Sequence, residues 1–305
     1  MKRKKRHTLL WANLFIILGT LVIGAWLLLS HGIRPSEEKL KEHRHRLTVL
    51  TWNTGRMGNF KKPASNEVLK FLLKQRADVI CLQEVDVYKN DRYLTLAEVK
   101  QELGKKYPYS YIDFKVYNSR HQYGTMVWSR FPIIHKQSIH YETQGNLSNR
   151  CDIIVKKDTI RLINNHLESY SFTSDDLAEM DNQHNYEAWR SSAKRLEEKW
   201  ERALPLRNKQ ARIIREEIEK SPHPCVVVGD FNSIPLSYVY WKICRGLHDV
   251  WSATSIGRLG ATCEKRGIGM RIDYILCSKS LIPVSCEVPE ATGSDHLPVV
   301  GTIAW

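Results

Sequence analysis

Residues 226–233 read VVVGDFNS. Three consecutive β-branched residues, Val226, Val227 and Val228, leave a strand no polar face, so both of its faces must be covered. That requirement points to a layered α/β architecture rather than a one-sided antiparallel sheet. The run then meets Gly229, Asp230, Phe231 and Asn232. A glycine there lets the backbone turn or lets another chain come close. Asp230 and Asn232 are two residues apart, so in extended backbone they point to the same side. Asp and Asn are also ordinary turn residues. The alternative is a cleft, since strand ends are where polar groups can face solvent while the strand stays in the core.

The same ending recurs along the chain. Leu47–Trp52 reads as a strand ending on Asn53, Val79–Gln83 as a strand ending on Glu84, and Ile160–Asn164 as a strand ending on Asn165 and His166. Gly124–Ser129 is a further strand. Arg271–Cys277 is a strand carrying Asp273, and Ser294, Asp295 and His296 precede a last strand, Leu297–Ala304. Helical periodicity falls on residues 66–76 and 208–220. Each polar residue alone has a structural explanation, as a cap, a turn or a satisfied core histidine. Their shared position at strand ends points to one cleft holding Asn53, Glu84, His166, Asp230, Asn232, Asp273, Asp295 and His296.

The N-terminal part is of another kind. Lys2–Arg6 is a run of five basic residues, and no charged residue occurs from Leu9 to Ser30, a stretch of 22 residues. That length spans a bilayer as a helix, and Trp11 and Trp26 lie near its ends, where interfacial aromatics belong. No small-residue cleavage motif follows it, so a retained anchor is expected rather than a signal peptide. The division is then a basic cytoplasmic tail (1–8), a single transmembrane helix (9–30), a polar stalk (31–46) and one large domain (47–305). The positive-inside rule puts the domain outside the cytoplasmic membrane. Net charge is +13, but residues 1–46 carry 10 Lys/Arg against 3 Asp/Glu, which leaves only +6 for the domain. Charge therefore selects no substrate. The seven cysteines are scattered without the close spacing of a zinc site.

Six segments, in order, carry a resemblance. Thr51-Trp52-Asn53, Leu82-Gln83-Glu84, Asn164-Asn165-His166-Leu167, Gly229-Asp230-Phe231-Asn232, Arg271-Ile272-Asp273-Tyr274 and Ser294-Asp295-His296 are similar to those of the endonuclease/exonuclease/phosphatase superfamily. Its members include deoxyribonucleases, neutral sphingomyelinases and inositol-polyphosphate phosphatases. The resemblance implies a four-layer α/β sandwich with two central mixed sheets flanked by helices, and divalent-metal hydrolysis of a phosphate ester. It also implies the roles. Glu84, assisted by Asn53 and Asp295, holds Mg²⁺, with Mn²⁺ as a possible substitute; a hard cation suits such oxygen ligands. Asp230 activates water. His296, paired with Asp273, and His166 serve the phosphate, and Asn232 donates to a phosphoryl oxygen. Arg150 joins His166, Asn232 and His296 in the expected substrate-binding set. The N-x-H-L form around His166 resembles the deoxyribonuclease, sphingomyelinase and phosphatase branches.

The expected function is a membrane-anchored phosphodiesterase or nuclease. A lipid-headgroup phosphodiesterase or phosphatase is the alternative, and a binding protein that has lost catalysis is a third reading. No protein partner is expected. Residues 169–206 run long for the family, with acidic residues followed by basic ones around Trp189 and Trp200. They read as a solvated helix, or as a lid that sets substrate choice.

Overall fold

The computed structural model describes residues 45–143, 145–170, 186–255, 259–265 and 268–305, with 19, 20 and 43. The tail and almost all of both the apolar segment over 9–30 and the stalk lie outside the described residues. Among the described residues no helix is long and apolar enough to cross a membrane.

Two six-stranded sheets make the body. The first has the order β13-β14-β1-β2-β4-β3 and the second β5-β6-β7-β8-β12-β9. Their strands are β1 (Arg46–Asn53), β2 (Val79–Tyr88), β3 (Tyr109–Tyr117), β4 (His121–Ser129), β13 (Ile282–Glu287) and β14 (Val299–Ala304) in one. The other holds β5 (Ile133–His140), β6 (Leu147–Val155), β7 (Asp158–His166), β8 (Cys225–Asp230), β9 (Leu247–Asp249) and β12 (Asp273–Ser278). A small hairpin, β10 (Cys263–Lys265) and β11 (Ile268–Met270), forms a separate two-stranded sheet, bridged at Cys263 to His296. Each large sheet is mixed in the same way. One central pair is parallel, β1 with β2 and β7 with β8, and every other neighbour is antiparallel.

Side-chain alternation explains the layering. Val226 and Val228 join Val49, Cys81, Val127, Leu162 and Ile275 in a core between the sheets. Val227 points the other way, into a core shared with Ile214 and Ile243, which belong to helices α3 (Tyr186–Glu219) and α4 (Tyr238–Cys244). On the first sheet Trp52, Ile80 and Leu82 face Leu69 and Val99 of α1 (Glu67–Lys74) and α2 (Leu96–Gly104). Helix, sheet, sheet and helix are thus stacked, and the β8 triplet is buried on both faces as the sequence requires. Asn66 caps α1, accepting from Leu69 N at 2.9 Å, and Thr95 with Glu98 forms a capping box on α2. Helix α5 (Val250–Thr254) closes one end of the second sheet.

Two expectations change. Strand β2 does not stop at Glu84 but runs on to Tyr88, with its register slipping between Leu82 and Val85 and Glu84 at φ +49°. The bulge turns the carboxylate out of the sheet without ending it. The helix expected over 208–220 is the last third of the 34-residue α3, which continues through Pro205. Residues 186–206 of the 169–206 segment are therefore one with that helix, while 171–185 lie outside the described residues. All seven cysteines are free thiols, five of them buried.

Candidate active site

The carboxyl ends of β1, β7 and β8 meet the bulge of β2 at one edge of the sandwich. Strand β1 delivers Asn53, the β2 bulge Glu84, β7 His166, and β8 Asp230. Strand β12 runs against β8, so its first residue, Asp273, lies opposite Asp230. The turn before β14 brings His296, whose carbonyl accepts from Trp52 Nε1 at 2.9 Å. Gly229 makes the β7–β8 approach possible. At φ +117°, a Cβ on it would lie 2.0 Å from the Asn165 carbonyl oxygen.

These side chains form a connected network. Asn53 Nδ2 donates to Glu84 Oε1 and to Asp230 Oδ2, both at 3.0 Å, while its Oδ1 accepts from Gly55 N at 3.2 Å. Asn53 thereby clamps two carboxylates that would otherwise repel. Glu84 Oε1 lies 3.5 Å from His166 Nε2. Asp230 Oδ1 accepts from Asn232 N at 2.7 Å and its Oδ2 from Asn232 Nδ2 at 3.2 Å. Asn232 Nδ2 also donates to the Leu167 carbonyl at 3.0 Å. Both amide hydrogens of Asn232 are thus engaged, so it orients Asp230, and contact with a phosphoryl oxygen would require exchanging one of these bonds. His296 Nδ1 is 2.9 Å from Asp273 Oδ2, and its Nε2 is 3.9 Å from Asp230 Oδ2. Asp230, Asp273, His166 and His296 are all buried.

The charges are set by this packing. Burial pushes Glu84 up, but the hydrogen bond and charge of His166, with Asn53 behind them, overcome it and hold the carboxyl at about 2. Burial and the charge of Asp273 raise Asp230 to about 6, with His296, His166 and Asn53 pulling the other way. Burial lowers His296, yet Asp273 and Asp230 outweigh it and carry the imidazole well above its usual value. His166 is raised in the same sense, by Glu84 against its own burial. One open, ionised carboxylate therefore stands beside two imidazoles that favour the charged form.

The cleft has two lobes that meet at Glu84 and Arg56. One, of about 670 Å³, is bordered by Gly293, Ser294 and the exposed Asp295. The other, of about 650 Å³, is bordered by Tyr88, His121, Tyr123 and His166. The donor set fits a hard divalent cation, since Glu84 is ionised with its side chain 31% exposed and Asp295 shares its lobe. The ligand atoms of Asp230, Asp273 and His296 also lie within 4.8 Å of one another. A cation among them would have to displace the proton that both carboxylates favour on His296, so the Glu84–Asp295 side is the better fit.

Arg150 is not brought into the cleft. On β6 it lies between Asn149, which donates to Thr125 at 2.7 Å across the sheets, and Cys151 of the inter-sheet core. Alternation sends Arg150 to the opposite face, where its Nε pairs with Glu217 of α3 at 2.7 Å. The cation bordering both lobes is Arg56 instead, in a left-handed turn over Gly55–Asn59 where Arg56 has φ +61°. Nothing in the local pattern at Arg56 marks it. Sequence reasoning also left Ser294, Gln83 and Asn164 without roles. Ser294 Oγ donates to the Asn53 carbonyl at 2.8 Å and accepts from His296 N at 3.1 Å, and so joins the first and last strands of the site. Gln83 Nε2 donates to Asn164 Oδ1 at 2.6 Å and stitches the sheets together beneath it. Both Gln83 and Asn164 fall inside the recurring strand-end segments, which was the available signal.

Residues 50–296 match the model of the Endonuclease/Exonuclease/phosphatase family. No curated protein sequence matches. Solved structures do. An endonuclease/exonuclease/phosphatase from Beutenbergia cavernae has TM-score 0.64 at 17% identity, over 86% of this chain and 72% of the other. A family protein from Leptotrichia buccalis has TM-score 0.58 at 15% identity, over 85% and 100%. TDP2 from Caenorhabditis elegans has TM-score 0.58 at 19% identity, over 87% and 76%. At such identities the likeness is one of fold, whereas the family model spans most of the chain and takes in every strand end of the cleft; the chain belongs to the Endonuclease/Exonuclease/phosphatase family.

Proposed function

We propose that this protein is a divalent-metal-dependent phosphodiesterase of the nuclease type, a hydrolase within the family's phosphate-ester chemistry. The observation that carries the reading is the pairing of one ionised, open carboxylate with two charge-favouring imidazoles around Asp230. Phosphate ester hydrolysis needs charge neutralised on the oxygens, an aligned water and a stabilised leaving group. Glu84 and Asp295, with Asn53 beside them, would hold Mg²⁺ or Mn²⁺. The bound cation supplies charge neutralisation and polarisation at the phosphoryl oxygens. His296, kept cationic by Asp273, and His166, kept cationic by Glu84, bind the phosphate by charge-assisted hydrogen bonds. Asp230, fixed by both nitrogens of Asn232, is the base that takes the proton of the attacking water, with an affinity for protons suited to near-neutral pH.

Nucleic acid is favoured over lipid headgroups by the aromatic lobe that Arg56 borders. Tyr88 and His121 are stacked at 5.7 Å beside Arg56, which suits a planar base and its phosphates. A membrane anchor over 9–30, with the domain outside the cytoplasmic membrane, is supported by the uncharged run and the basic cluster before it. The first test is nitrophenol release from bis-nitrophenyl phosphate with and without Mg²⁺. DNA, RNA, sphingomyelin and phosphoinositides then form a panel. An inert enzyme on every substrate rejects hydrolysis, and turnover of sphingomyelin alone moves the reading to lipid.

A further inference from the structure

Arg207 is fully buried and belongs to none of the motifs above. It lies on the inward stripe of α3, in helical register with Ala203, Ala211 and Ile214, all buried. Any apolar residue would fill that stripe at less cost, because a desolvated guanidinium is expensive unless it is well partnered. Among the described residues, no carboxylate is within ion-pair distance of Arg207, its Nε and Nη2 have no acceptor beyond the Tyr170 side chain, and Asp230 and Glu168 act on it only by longer-range attraction. Its Nη1 donates to the Asn232 carbonyl. Its Cζ lies over the Tyr170 ring, 3.6 Å from the centroid, and that ring stacks on Trp200, in the same helix as Arg207, at 4.5 Å and 11°.

The residue held this way is itself strained. Asn232 has φ +48°, in the left-handed region, which asparagine enters more readily than other side-chain-bearing residues but still at a cost. It is also the residue whose N–H and amide fix both oxygens of Asp230. We propose that Arg207 is a positioning residue for the cleft: stacked on Tyr170 and bonded to the Asn232 carbonyl, it locks Asn232 in its left-handed conformation and thereby aims Asp230. The long helix α3 is then tied to the reacting centre through one buried side chain, and the Tyr170–Trp200 stack backs that side chain.

The inference rests on the hydrolytic reading for its kinetic arm but not for its structural one. The kinetic arm is a double-mutant cycle on bis-nitrophenyl phosphate turnover with Arg207→Met and Asn232→Ala in the full chain. Arg207→Met should lower kcat about thirtyfold or more with a smaller change in KM, and it should cost little further once Asn232 is Ala. Penalties that multiply, or a kcat within about threefold of wild type below the melting temperature, overturn the assignment. If Arg207→Met does not fold, Arg207→Lys takes its place in the cycle with the same criteria. The structural arm is hydrogen exchange of the peptide spanning 229–234, read by mass spectrometry. Exchange there should rise about tenfold or more in the Arg207 variant while the core strands stay protected. Unchanged exchange overturns the proposal even if the wild type proves inert on every substrate, so failure of the hydrolytic reading and failure of this one are told apart.

Discussion

The pairing of Asp273 with His296 allows the sharpest test of the proposed chemistry. Both side chains are buried, and 2.9 Å separates Nδ1 from Oδ2. Asp273→Asn keeps the shape and one hydrogen-bonding atom but removes the charge. Two unit charges about 4 Å apart interact by about 4 kcal/mol at the effective dielectric of a protein site. Asp230 stands 3.9 Å from Nε2 and still favours the cation, so the full value is not lost. A loss of about 3 kcal/mol in stabilising the imidazolium at the phosphate is the working figure, or roughly 150-fold in kcat. His296→Ala removes the phosphate contact itself and should cost at least as much. Because Asp273 acts only through His296, the double variant should be little worse than His296→Ala alone. The assay is steady-state hydrolysis of any accepted phosphodiester by all four proteins, with circular dichroism to confirm folding. If the two penalties multiply, the carboxylate and the imidazole act independently and the proposed division of labour is wrong, even if both residues prove essential.

Glu84→Gln should lower metal-dependent turnover by about a hundredfold or more while the fold is retained, and near-normal activity would remove Glu84 from the metal site. Arg161 grips Asp152 through two bonds of 2.7 and 2.9 Å, both residues buried, so Arg161→Met should destabilise the domain by about 3–5 kcal/mol at neutral pH. Burial raises Asp152, but Arg161 and His135 outweigh it and depress its pKa, so the pair stabilises above the unfolded value of about 4 and its contribution fades as pH falls through the lower folded value. The gap between wild type and Arg161→Met in denaturant titrations should therefore close in acid, and a gap independent of pH would refute the account. Gly229→Ala must push a methyl against the Asn165 carbonyl, and a loss of at least about 4 kcal/mol, or failure to fold, is expected from chemical denaturation. A reporter fused after Trp305 should be active only outside the cytoplasmic membrane if Lys2–Arg6 stays inside, and a signal from a cytoplasm-restricted reporter would reverse the topology.

The recurring strand-end segments made much of the site legible in the sequence. Val226–Val228 could only be a doubly covered strand, and the apolar runs before Asn53, Glu84 and His166 repeated the pattern, because burial on two faces leaves a local signature that no polar alternation can imitate. The order of those polar endings carried the resemblance, and the fold placed Asn53, Glu84, His166, Asp230, Asn232, Asp273 and His296 in one network. Tertiary structure alone decided which way each side chain faces and what it meets. Arg150 looked as available as any cation, yet strand parity sends it to Glu217 on the far face. Glu84 reached the cleft through a bulge, and a one-residue slip in pairing has no local signature because it depends on where β4 locks against β2. Arg56 stands over the cleft only because the chain winds left-handed after Thr54, and Arg207 sits behind Asn232 only because α3 packs on β8. Charge followed the same division. The sequence supplies the carboxylates and imidazoles, but their protonation is set by burial and by neighbours from strands far apart in the chain, and so it exists only in the assembled fold.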